Sequence, residues 1–146
     1  MTTSDGISTE DWDEVRELAL ECLAASFQED PEAMVDVHRR MQACLDSLEM
    51  KYGPLPSIVA TRADYLDEGD PRQEAFLRRA YHLASTSGDD INVVETAHSL
   101  VRYFVDEAPD PVQAREWLVI LEQSILDDED NPIVMRDLVR FREMLK

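Results

Sequence analysis

The chain has 146 residues, 44% of them hydrophobic, with two cysteines and a formal net charge of −18. That length buries a core without metal or disulfides, and the composition excludes both a disordered chain and a disulfide scaffold. The negative charge argues against direct binding to nucleic acid or to an anionic membrane, since both ligands select a basic face.

Residues 1–8 read as a frayed end. Met1 to Thr9 has neither the basic start nor the apolar core of a secretory leader, and no apolar run reaches bilayer length. The cytoplasm is therefore the expected location. Thr9 reads as the cap of a first helix, with Trp12, Val15, Ala19, Cys22 and Ser26 on one face and Leu18 and Ala25 widening it. A second helix opens at Asp30-Pro31, where the aspartate accepts from free amides and proline at the first position loses no bond. Its apolar series is Met34, Val37, Met41, Cys44, Leu45 and Leu48, closed by Gly53-Pro54. A third helix is expected from Leu55 to Glu68 and a fourth from Asp70-Pro71 to Gly88. Asp89 or Asp90 caps a fifth, which runs through Ala97, Leu100 and Phe104 until Pro109 stops it. Asp110-Pro111 opens a sixth with Ala114, Trp117, Leu118 and Leu121; Asn131-Pro132 opens a seventh with Val134, Leu138 and Phe141. About seven antiparallel helices with short turns leave no room for a sheet, so the expected class is all-α.

Asp-Pro recurs at 30, 70 and 110, an unbroken spacing of 40 residues. Counted from these aspartates, Val37, Leu77 and Trp117 share one column and Met41, Tyr81 and Leu121 another, four residues on. Two apolar columns four apart are what a seam between stacked helices requires. With Asp110-Pro111 ahead of Trp117, Ile120, Leu121 and Ser124, and Asp70-Pro71 ahead of Phe76, Ala80 and Leu83, the units resemble tetratricopeptide repeats. Ala97 and Pro109 resemble that family's second-helix alanine and terminal proline. The resemblance covers residues 30–146 and departs in its 40-residue period, against 34 in the family. It implies a single domain over 1–146, an α-solenoid with a right-handed superhelix. Residues 1–29 would form a capping helix, with hairpins at 30–69, 70–109 and 110–146. A generic helical repeat or an irregular bundle is the structural alternative.

Charge is uneven. Residues 1–30 carry nine acids against Arg16, and residues 106–130 carry nine against Arg115. These zones serve solubility or steer a basic partner. The run Asp127, Asp128, Glu129, Asp130 lacks the alternating ligands and central glycine of a calcium loop, so it reads as an acidic helix start or a docking surface for lysine and arginine. Arg39-Arg40 and Arg78-Arg79 are basic pairs that either neutralise acids such as Asp36 and Glu74 or form a stripe for an acidic peptide, with Tyr81 and His82 beside it. Trp117 is expected in the core.

His38, His82 and His98 have no zinc-ligand spacing, and no phosphate loop or nucleophile elbow is present. If the first two helices fold back near residue 30, Cys22 lies 8 residues before the turn and Cys44 14 after. The offset is roughly 9 Å along a helix, too far for a disulfide, so both read as apolar core residues. No cofactor or metal is expected. The sequence thus points to a non-enzymatic cytoplasmic module that captures a protein partner, of the kind of a small acidic immunity or chaperone-type protein neutralising a basic one. The alternative is a self-associating structural protein that forms a homodimer.

Overall fold

The computed structural model describes residues 3–125 and 131–146. Among the described residues it is all-α, with seven α-helices and no strand element. They are α1 (Thr9–Phe27), α2 (Pro31–Tyr52), α3 (Pro56–Asp64), α4 (Arg72–Ser87), α5 (Asp90–Arg102), α6 (Pro111–Ser124) and α7 (Pro132–Met144). The chain divides into two compact units, Met1–Phe76 and Leu77–Lys146, with the division inside α4.

Caps account for most of the boundaries. The Asp30 side chain accepts from the Ala33 amide at 3.1 Å, Asp110 from Gln113 at 3.2 Å, and Asn131 from Ile133 and Val134 at 3.1 and 3.2 Å. In each case proline follows at the first helical position, where its missing N–H leaves nothing unsatisfied. Asp89 caps α5 by accepting from Asn92 at 3.2 Å. Asp70 departs from the pattern. It accepts from the Arg72 amide at 2.9 Å and grips the Arg72 guanidinium at 2.8 Å, which pulls its carboxyl down to about 2. Helix α4 accordingly begins at Arg72, after Pro71.

Three further boundaries differ from expectation. Ser8, not Thr9, caps α1, its hydroxyl accepting from the Asp11 amide at 3.2 Å. Helix α3 ends at Asp64, short of Glu68. Helix α5 gives way at Arg102 to a π-helical turn, Tyr103–Glu107, in which the Ala108 amide donates to the Tyr103 carbonyl at 2.8 Å. That wider turn carries Phe104 inward, where it is buried.

The expected frayed start is also corrected. Ile7 is fully buried, and burial of a side chain of that size contributes roughly 1.5–3 kcal/mol. Asp5 accepts from the Ser57 amide at 2.7 Å and its hydroxyl at 2.9 Å, serving as a remote cap for α3, whose own Leu55 provides none.

In the first unit α1 lies along α2, and α3 packs on α2. The pairing runs antiparallel: Arg40 meets Glu21 near the turn, while Lys51 meets Asp11 at 2.8 Å at the far end. Tyr52 also donates to Asp11 there, and the lysine and tyrosine together hold that carboxyl below its ordinary range. Ile7, Val15, Leu18, Met41, Leu45, Leu48 and Ile58 form the core between these helices. In the second unit α5 packs chiefly on α6, and α7 rests on α5. Leu100, Val101, Leu121, Leu138 and Phe141 are its buried centre.

Candidate functional site

The turn between α1 and α2 sets the geometry of the first unit's surface. Glu29 has a positive φ of 51°, the Glu29 amide donates to Ser26 O and the Asp30 amide to Ala25 O, both at 3.1 Å. This left-handed cap closes the last turn of α1 and hands directly over to Asp30, the cap of α2. The turn is short and fixed, so residues equidistant from it are brought face to face.

One consequence is a line of three polar side chains that the sequence reading missed. Cys22 on α1 and His38 on α2 each stand 8 residues from Asp30. Cys22 Sγ lies 3.7 Å from His38 Nε2, and His38 Nδ1 lies 3.0 Å from Asp67 Oδ1, in the segment after α3. Tyr65 packs edge-on against the imidazole, with ring centroids 6.2 Å apart. Met34 Sδ sits 3.9 Å from Cys22 Sγ. Burial pushes the Cys22 thiol above its ordinary value. Both cysteines are free: Cys44 is buried as expected, whereas Cys22 is only half-buried.

The second consequence lies on the outward face of α1. Leu20, Leu23 and Phe27 recur at i, i+3 and i+7 and remain 67%, 52% and 80% exposed. Glu10, Glu14, Glu17 and Glu21, all exposed, follow a helical period along the first turns of α1, ahead of the apolar stripe in its last two turns and about a third of a turn away around the axis. Of these, Glu21 is held by Arg40, which lowers its carboxyl below the usual range.

The residues singled out from the sequence fall as follows. Arg39 is exposed and pairs with Asp36 at 2.6 Å; Arg40 bridges Asp36, at 2.9 Å, and Glu21. Both belong to the first unit. In the second, Arg78 donates to Gln113 at 3.0 Å and lies over the rings of Phe104 and Trp117, 5.6 and 5.7 Å from their centroids. Tyr81 stands edge-on to Trp117, centroids 4.9 Å apart, and Trp117 is buried. Arg79 and His82 are exposed on α4. Asp127, Asp128, Glu129 and Asp130 lie outside the described residues.

The second unit also holds a buried hydrogen-bonded pair, His98 and Asp137, and a groove of about 480 Å³ between α6 and α7. Val119, Ile125, Met135 and Leu138 line the groove, and Glu122 and Arg142, also in its wall, approach each other at 3.5 Å. Among the described residues no cluster of His, Cys, Asp and Glu has the makings of a metal site, and no helix is long and apolar enough to cross a membrane. Neither a family model, nor a curated protein, nor a solved structure matches this chain.

Proposed function

We propose that the chain is a non-enzymatic module that captures a basic protein partner through the outward face of α1. The observation that carries this reading is the exposed stripe of Leu20, Leu23 and Phe27 in the last turns of α1, with the glutamate row ahead of it on the same helix. Large apolar side chains aligned on one helical face leave contiguous apolar area in water, and such patches rimmed by polar groups mark interaction surfaces. An aromatic at the end of the stripe supplies the anchor that interface energetics favour. The acids in the first turns of the same helix favour a partner that carries lysine or arginine next to an apolar anchor, as an amphipathic basic helix does.

The net charge of −18 adds a long-range field that speeds encounter with such a partner. It also opposes pairing of two copies, since each carries the same net negative charge. We read the role as neutralising or chaperoning, of the immunity or secretion-chaperone kind, within the cytoplasm; two free thiols fit a reducing compartment. The Asp-Pro period of 40 residues supports placing the chain among tetratricopeptide-like helical repeats.

Capture from extracts of the native host by the full-length chain, repeated at low and high salt, tests this reading. The expected outcome is one stoichiometric basic protein, bound less tightly as salt rises and lost from the Phe27→Ser variant. A partner retained equally by Phe27→Ser, or a pure protein that light scattering shows to be a homodimer through α1, would overturn it.

A further inference from the structure

We propose that Cys22 is a covalent modification site for neutral, soft carbon electrophiles, with His38 as the base that takes the thiol proton and Asp67 as the residue that positions the imidazole. This goes beyond the binding role and stands independently of it, since modification of one thiol needs no turnover.

An ionised carboxylate only accepts, so the 3.0 Å contact between Asp67 Oδ1 and His38 Nδ1 places the ring proton on Nδ1. With the ring neutral, Nε2 carries the lone pair, and Nε2 is the atom 3.7 Å from Cys22 Sγ. The thiol therefore donates to a base already oriented by a third group, the arrangement that activates a nucleophile. The groups facing the imidazole are Cys22 from α1 and Tyr65 and Asp67 from the segment after α3. Burial keeps the resting thiol protonated, so its proton leaves as the new bond forms.

The surroundings select the electrophile. Met34 lays an uncharged thioether against the thiol at 3.9 Å. The Asp67 carboxylate beyond His38 and the net charge of −18 disfavour anionic reagents and leave small uncharged ones. With a conjugate acceptor, the sulfur lone pair forms an S–C bond at the β-carbon, the C=C π pair moves to the α-carbon, and the proton taken up by Nε2 is delivered there. Nothing else is consumed. With a haloacetamide, S–C forms, the C–I bond breaks, iodide leaves with the pair, and the proton passes from Nε2 to solvent.

The test is alkylation of the intact protein by iodoacetamide and by N-ethylmaleimide, followed by peptide mass spectrometry. Cys44 is the internal reference, being buried with its thiol pushed up to about 11. The expected result is modification of Cys22 at neutral pH at least about tenfold faster than in His38→Gln, in line with the contribution of a positioned base, with Asp67→Asn intermediate. Iodoacetate, the anionic analogue, should react more slowly than iodoacetamide. Equal rates in wild type and His38→Gln would overturn the assignment. Asp67, exposed in the segment after α3, decides the matter even if His38→Gln does not fold: a rate in Asp67→Asn equal to that of the wild type would overturn it as well.

Discussion

His98 Nε2 on α5 and Asp137 Oδ2 on α7 meet at 2.7 Å, and both side chains are about nine-tenths removed from solvent. Burial favours the neutral imidazole and holds the His98 pKa below its ordinary value. Burial by itself would raise the Asp137 carboxyl. The hydrogen bond from His98, with the Arg140 and Arg136 guanidiniums, brings it below the usual range instead. The pair is therefore a neutral histidine donating to a carboxylate, and it ties α7 to α5.

Removing the acceptor leaves a buried N–H without its partner, a loss of about 1.5–3 kcal/mol for a bond to a charged group. Asp137→Ala should lower the stability of the second unit by about that amount, read as a shift in the urea midpoint. A change below about 0.5 kcal/mol, the scale of a neutral surface substitution, would show that the contact contributes nothing to the fold.

The same pair predicts a pH dependence. A histidine whose folded pKa lies below its unfolded value of ~6.5 favours the folded state in full above that value. As pH falls from there through the folded pKa, the unfolded chain takes up a proton that the folded chain refuses, and stability declines. Asp137 acts in the same direction but lower, below ~4, where free carboxylates titrate. Urea unfolding between pH 7 and pH 5 should show falling stability in the wild type and a flatter curve in His98→Gln. Parallel curves would remove His98 as the cause.

Two of the turns use one device with different residues. At the end of α4, Gly88 takes a φ of 71° and the Asp89 amide donates to Ala84 O at 3.0 Å; at the end of α1, Glu29 occupies the corresponding place at 51°. A side chain in that left-handed region costs roughly 1–2 kcal/mol, partly offset for glycine by its greater freedom when unfolded. Glu29→Gly should thus raise stability by about 0.5–1 kcal/mol, measured by thermal or urea denaturation. A loss of stability would mean that the Glu29 side chain supports the turn in a way the hydrogen bonds do not show.

These turns also explain how much was legible beforehand. The caps at Asp30, Asp89, Asp110 and Asn131 are local signals, a short polar side chain usually followed by proline, and the all-α class follows from them together with helical periodicity. Ile7 and Asp5 were unreadable because their roles depend on contacts some fifty residues away, with α3. The π-helical turn at Tyr103–Glu107 has the same apolar spacing as a continuing helix and leaves no sequence mark of its own. Arg39 and Arg40 could not be assigned from sequence either, since Asp36 is a local partner but Glu21 is reached only across the α1–α2 turn. The Cys22–His38 contact was within reach. Setting the hinge at Asp30 already placed Cys22 and Cys44 out of register, and the same count places Cys22 and His38 opposite each other.

The reading of α1 as a docking face makes the strongest demand on experiment. Phe27, 80% exposed, contributes little to the fold, so replacing it should leave stability within about 0.5 kcal/mol of the wild type. The deciding measurement is the dissociation constant of the captured basic partner for wild type and Phe27→Ser at low and at moderate salt. Loss of an aromatic anchor predicts at least about tenfold weaker binding in the variant, and the glutamate row predicts weakening of both proteins as salt increases. An unchanged dissociation constant in Phe27→Ser, with the fold intact, would contradict the account.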